Sequence, residues 1–166
     1  MRHIIGILLQ NESGALSRVA GLFSSRGYNI ESLSVSATDD PALSRLTLVT
    51  TGSESVVQQI VNQLNKLIDV VAVDDMTSDE HVERELALFK LRVRGAQKEA
   101  VRALVEQAGG RLLLDRDCYI VELTSSEAAI SELARALAGQ AELLEIVRSG
   151  ALALNSQERI LHVVES

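Results

Sequence analysis

Aromatic side chains are scarce in this chain of 166 residues: they make up 2% of it, with no tryptophan. Phe23, Phe89, Tyr28 and Tyr119 are the whole set. The core must therefore be aliphatic, and little is left for stacking on nucleic-acid bases. Basic residues are outnumbered too, 16 Lys and Arg against 23 Asp and Glu, for a net charge of −7 at pH 7. Binding to nucleic acid or anionic lipid rests on Lys and Arg meeting phosphate, so neither partner is expected. Cys118 is the sole cysteine, which excludes an intrachain disulfide and fits a cytoplasmic, reducing setting. No apolar run approaches the length of a membrane span. Met1-Arg2-His3-Ile4 leads directly into a strand-like segment, cut off too early by Gln10-Asn11-Glu12 to read as a signal peptide.

What is present is the composition of a folded protein, 46% hydrophobic and 23% charged. Ile4 to Leu9 is a continuous apolar run and reads as a buried strand. Leu16, Val19, Ala20 and Phe23 then recur at helical spacing, with Ser13 as the expected cap and Gly27 as the stop. Leu33, Val35 and Ala37 alternate with serines, Thr38-Asp39-Asp40-Pro41 turns the chain, and Leu46 and Leu48 lie on a returning strand. Gly52-Ser53 opens a second helix carrying Val57, Ile60, Val61 and Leu64, and Val70 to Val73 is a closing strand. Thr77 to Glu85 reads as a polar linker.

The same order then repeats. Phe89, Leu91 and Val93 alternate with Lys90, Arg92 and Arg94; Val101, Leu104, Val105 and Ala108 form a helical stripe ending at Gly109-Gly110. A hairpin is expected around Asp115-Arg116-Asp117, then a helix through Ile130, Leu133, Ala134 and Leu137, and a strand at Leu143 to Val147. Gly150 precedes a short apolar stretch, Ala151 to Leu154, and the tail after Asn155 is expected to be mobile. The predicted class is α+β: two tandem βαββαβ units of ferredoxin-like type, residues 1–78 and 79–166. Each places two helices on one face of a four-stranded sheet and leaves the other face to be covered. Units this small bury little surface alone, so dimerisation is expected.

Catalytic patterns are scarce. His3, His81 and His162 have no second ligand at metal spacing and read as surface histidines. Cys118 reads as a small hydrophobe. Neighbouring carboxylates in Asp39-Asp40 and Asp74-Asp75 point to opposite faces of extended chain, so both pairs read as solvated turn residues. No nucleophile elbow or phosphate loop joins a strand to a helix. The one informative segment is Asn11-Glu12-Ser13-Gly14-Ala15-Leu16-Ser17-Arg18-Val19, a loop leaving a strand and entering a helix. A helix start presents unpaired N–H groups and partial positive charge, Gly14 permits close approach to the backbone, and Asn11 can accept a hydrogen bond from an ammonium. Composition alone favours an ordinary capped turn over a carboxylate seat.

The segment Asn11 to Leu16 resembles the ligand loop of ACT domains, which bind amino acids. The runs Gly21 to Val35, Thr38 to Arg45, His81 to Leu86 and Glu145 to Gly150 resemble the small subunit of acetohydroxyacid (acetolactate) synthase. Two departures are Ala37, where the family often has proline, and Ser125-Ser126 in place of a glycine-containing turn. The resemblance implies that residues 1–78 are an ACT regulatory domain and 79–166 the family's C-terminal ferredoxin-like domain. It implies a non-catalytic subunit in branched-chain amino-acid biosynthesis that activates a large catalytic subunit and confers valine inhibition. Thiamine diphosphate, Mg²⁺ and FAD would belong to that large subunit, with no cofactor or metal on this chain. The implied valine site uses Asn11, Gly14, Ala15 and Leu16 of one chain with Asn29 and Ile30 of its homodimer partner. The alternatives are a free-standing ACT-type sensor with another target, a small enzyme of acylphosphatase type lacking a convincing phosphate loop, and an RNA binder opposed by the charge.

Overall fold

The computed structural model of the chain describes residues 1–158 and 160–162; Arg159 and residues 163–166 of the expected mobile tail lie outside the described residues. The chain divides into two compact units, Met1–Val82 together with the segment from Ala151 onward, and Glu83–Gly150. The sequence reading places the division at 78/79 and assigns the segment after Gly150 to the second unit. Burial of Ala151 and Ala153 beside Ile4, Val49 and Met76 is what returns that segment to the first.

The first unit runs β1 (Arg2–Gln10), α1 (Ala15–Ser25), β2 (Ile30–Ala37), β3 (Leu43–Thr51), α2 (Glu54–Leu64) and β4 (Val70–Asp75). Its strands form one antiparallel sheet in the order β2-β3-β1-β4. Ile5, Ile7 and Leu9 of β1 and Leu46 and Leu48 of β3 face Val19 and Phe23 of α1 and Val57, Ile60 and Leu64 of α2. Residues of this type, fully buried, each stabilise a fold by about 2 to 5 kcal/mol against truncation to alanine. Ile4 and Leu8 occupy the alternate positions of β1 and are buried as well, because the sheet's second face is also covered. That is why the run from Ile4 to Leu9 lacks the alternation of a half-exposed strand.

Glycine, not serine, caps α1. Ser13 stands one residue too early; the N-cap is Gly14, in the left-handed region at φ 88°, with no side-chain capping bond. Only glycine adopts that backbone without strain. Gly27 follows the C-cap Arg26 at φ 69° and ends the helix as its position suggests. Ser53 caps α2, its hydroxyl accepting from the Val56 N–H at 3.4 Å.

The second unit runs β5 (His81–Arg92), α3 (Lys98–Gln107), β6 (Arg111–Asp115), β7 (Tyr119–Ser125), α4 (Glu127–Gln140) and β8 (Glu142–Arg148), in the order β6-β7-β5-β8. Ala87, Phe89 and Leu91 of β5 pack under Val101 and Val105 of α3 and Ile130, Leu133 and Leu137 of α4. Both units are thus ferredoxin-like βαββαβ folds within an α+β chain. A last strand, β9 (Leu152–Asn155), pairs with β5. β5 begins at His81, inside the stretch read as a linker. Its period is hidden because an inward position holds a charge: Glu85 is 7% exposed and meets Arg148 through hydrogen bonds of 3.0 and 2.6 Å. Among the described residues no helix is long and apolar enough to cross a membrane.

One ion pair fastens α1 to the entry of β4. The Asp69 carboxylate, its side chain 4% exposed, accepts from Arg18 Nε and, at 3.0 Å, from Arg18 Nη2. The two Arg18 hydrogen bonds hold the Asp69 carboxyl below the usual carboxylate range, reinforced by the guanidinium charge and opposed by burial. A carboxyl with a depressed folded value adds stability above its unfolded value, about 3.9, and loses it as pH falls through the folded one. Asp69→Asn is therefore expected to lower the urea midpoint at pH 7. The gap from the unaltered chain should narrow as pH falls below the unfolded value of about 3.9; a gap independent of pH would refute this account.

Candidate functional site

The turn between β1 and α1 is built by backbone bonds from three directions. Gln10 N–H donates to the Asp69 carbonyl at 2.8 Å, Asn11 N–H to the Ala42 carbonyl at 2.7 Å, and Glu12 N–H to the Gln10 carbonyl at 2.9 Å. Asn11 is exposed, and its Nδ2 donates to the Pro41 carbonyl at 3.0 Å. That bond employs the donor side of the amide and leaves Oδ1 as the acceptor an ammonium group requires. The helix start follows at once. Ala15 N–H makes only a long bond to Glu12 O, 3.3 Å, and the cap itself supplies no side-chain acceptor. A helix N-terminus left in that condition is favourable ground for a carboxylate.

Arg18 completes this end. Its N–H donates to the Gly14 carbonyl at 3.0 Å, and its guanidinium lies 3.1 Å from where a Cβ on Gly14 would stand. The bond to Asp69 raises the Arg18 guanidinium above its ordinary value, so the group is a permanent cation beside the loop. Arg18 is absent from the sequence-predicted set. Its offset of four from Gly14, one turn along the helix, is the signal that points to it. Ala15 can offer only its backbone, since its side chain is buried, whereas Leu16 is 37% exposed.

Asn29 and Ile30 do not join this group within one chain. Ile30 is half-buried and pairs with Thr50, which pairs in turn with His3 at the start of β1. The Asn29 carbonyl accepts from Thr50 Oγ1 at 2.6 Å. Asn11 follows Gln10 at the opposite end of β1, where the register runs through Leu43 and Ser44 to Ala37. The Asn11 loop and the Ile30 end are separated along the sheet by about seven residues, roughly 24 Å at about 3.4 Å per residue.

Other expectations shift. His3 is buried at 2% exposure rather than on the surface; its Nε2 is 3.2 Å from the Gly52 carbonyl, and its Nδ1 has no hydrogen-bond partner. Its neighbours Thr50 and Ile5 on the covered face explain the burial, which a strand-end position does not reveal. Asp40 is a turn residue, its Oδ1 accepting from Ala42 N–H at 2.9 Å. Asp74 and Asp75 instead close β4, with Asp75 accepting from Thr77 N–H at 3.1 Å. His81 lies in β5, and Cys118 is half-buried in the β6–β7 turn. No group of three or more His, Cys, Asp or Glu able to hold a metal ion occurs among the described residues.

Residues 5–72 match the family described as the AHAS small subunit-like ACT domain, and residues 84–157 match the small subunit of acetolactate synthase. The chain is 44% identical to the acetolactate synthase isozyme 3 small subunit of Salmonella typhimurium, over 97% of this chain and 99% of that one. It is 43% identical to the Escherichia coli isozyme 3 small subunit over the same shares, 97% and 99%. The crystal structure of the acetolactate synthase small subunit from Thermotoga maritima superimposes with a TM-score of 0.86 at 32% identity, covering 96% of this chain and 99% of that one. The ligand-type loop at Gly14 thus sits in an ACT domain, and the chain belongs to the acetolactate synthase small-subunit family.

Proposed function

We propose that this chain is the non-catalytic regulatory subunit of an acetolactate synthase in branched-chain amino-acid biosynthesis. It activates a separate large catalytic subunit, on which thiamine diphosphate, Mg²⁺ and FAD are carried, and valine bound to its ACT domain inhibits the complex. Similarity of the second unit to the same family, residues 84–157, favours this over a free-standing sensor with another target.

The register of the first sheet is the observation that carries the site. β2 is an edge strand, and its Ile30 end lies opposite the Asn11 end of the sheet. Pairing β2 with the β2 of a second copy about a two-fold axis reverses the second strand. Ile30 of the partner subunit then comes beside Ala37, in the row that runs through Ser44 and Leu43 to the Asn11 loop. A two-fold repeats this, giving two equivalent sites, each shared between chains. Valine's carboxylate is received at the start of α1 near Gly14 to Leu16, with Arg18 adjacent. Its ammonium is received by Asn11 Oδ1, and its branched side chain lies against Ile30 of the partner subunit. A ligand that prefers one dimer arrangement shifts the population towards it.

Three outcomes are expected. The purified chain, given pyruvate and every cofactor, forms no acetolactate; measurable product overturns the non-catalytic reading. Gly14→Asp forces a side chain into the left-handed region at a cost of about 1 to 2 kcal/mol and sets a negative charge where the carboxylate sits. The valine needed for half-inhibition of the complex should rise more than about tenfold while activation persists; unchanged inhibition would remove Gly14 from the site.

Mixed dimers test the sharing. Pairing an Asn11→Ala chain with an Asn29→Ala chain places both substitutions in one site and leaves the other intact. Pairing an unaltered chain with an Asn11→Ala/Asn29→Ala chain leaves no intact site. Each lost contact costs about 1 to 3 kcal/mol if buried, which calorimetric titration separates. The inverse pattern would show that each site lies within one chain.

A further inference from the structure

The two sheets have the same topology and different sequence rhythms. β5 alternates, with inward Ala87, Phe89 and Leu91 buried and Leu86 and Arg92 exposed. β1 does not alternate and is buried from His3 to Leu9. The residues that allow this come from the far end of the chain. Ala151 and Ala153, 4% and 6% exposed, close over Ile4, Val49 and Met76. The chain leaves the first unit after Val82 and returns to it at Ala151, so two covalent connections join the units.

Both ends of the returning segment are tied. Ala151 N–H donates to Ser32 Oγ at 3.0 Å, and the Ala153 carbonyl accepts from Arg45 Nη2 at 3.2 Å. Further on, Ser156 N–H donates to the Glu80 carbonyl at 3.0 Å. On the other side of the Gly150–Ala151 bond, Gly150 N–H donates to Glu85 Oε1 at 3.2 Å, on the carboxylate that Arg148 holds. Ser149 N–H donates to the Leu86 carbonyl at 3.0 Å, and Leu86 N–H to Ser149 Oγ at 3.0 Å. Gly150 itself lies at φ 83°, a conformation that side-chain-bearing residues rarely adopt. Ser32 stands two residues after Ile30 on β2, the strand assigned above to the valine site.

We propose that β9, with Gly150 at its root, is a coupling strap that carries the effector-dependent setting of β2 to the second unit. The inference rests on the valine reading above. A displacement of β2 moves Ser32, and with it the first residue of the strap. The next residue back, Gly150, is clamped to β5 by Glu85, so the second unit receives the displacement through one peptide bond. A hydrogen bond kept in one state and broken in the other is the two-state element such coupling needs.

Two substitutions cut the path on either side of the Gly150–Ala151 bond: Ser32→Ala on β2 and Arg148→Gln at the clamp. Calorimetry on the small subunit reads valine affinity; the activity of the full complex at saturating valine reads coupling; amide exchange of the unliganded chain reads the strap without valine. Both variants should keep valine affinity within about twofold, while residual activity at saturating valine rises roughly fivefold, the effect of one net hydrogen bond. In the unliganded Ser32→Ala chain, exchange at Leu86 and Ser149 should quicken by a similar factor, and Ser32→Thr should restore it. Retained affinity with unchanged inhibition overturns the strap. Unaltered exchange at Leu86 and Ser149 also overturns it, whatever valine does. If the unaltered chain binds no valine, the effector reading fails and the exchange result alone decides the strap. If Ser32→Ala lowers affinity directly, Arg148→Gln decides the coupling.

Discussion

The first unit depends on β1 being covered on both faces. An apolar strand at the centre of a sheet cannot leave either side to water without losing most of what its burial contributes. On one face the cover is α1 and α2, packed on Ile5, Ile7 and Leu9. On the other it is a segment more than a hundred residues away in sequence, reduced to alanines at the two positions that face inward. That arrangement makes the C-terminal strand part of the regulatory unit's core. It also explains why the second unit is joined at two points instead of one.

The Gly14 end of the same unit is shaped by a few backbone demands. Gly14 supplies a left-handed turn that starts α1 without a side-chain cap, leaving a helix start suited to a carboxylate. Arg18 lies over that turn and is held there by Asp69, whose carbonyl also takes the Gln10 N–H at the end of β1. Loop, helix and closing strand are thereby fixed together by one residue, Asp69. The complementary residues Asn29 and Ile30 stand at the far end of the sheet, and β2, which carries Ile30, is the sheet's edge. A site made of both sets needs two chains, which is why ligand occupancy and dimer geometry are linked in the proposed function.

Much of this was legible in the residues. Helical spacing in Val19 and Phe23 and alternation in Phe89 and Leu91 are local periodicities, and the structure buries all four, while Leu16 of the same helical stripe is left exposed. The stretch from Asn11 to Leu16 was legible as a turn because glycine at a strand-to-helix junction has a backbone reason; its reading as a ligand loop came from the resemblance. Where the reading failed, a distant partner had changed the meaning of a residue. His3 is buried by the sheet around it. Glu85 occupies a core position because Arg148 neutralises it, which disguised the start of β5 as a linker. Ser13 has the chemistry of a cap, but the turn needs φ 88° one residue later.

The sequence by itself determined most of the elements, their order, the aliphatic core and the turn at Gly14. All of these follow from spacings within a few residues, where covalent geometry and side-chain period are decisive. Tertiary structure alone decided three things: that Asn11 and Ile30 lie at opposite ends of one sheet, that Arg18 is anchored by Asp69, and that Ala151 and Ala153 seal the first unit. Each depends on strand register or on a contact across most of the chain. Such contacts are selected by the collective burial of surfaces, which no local pattern encodes.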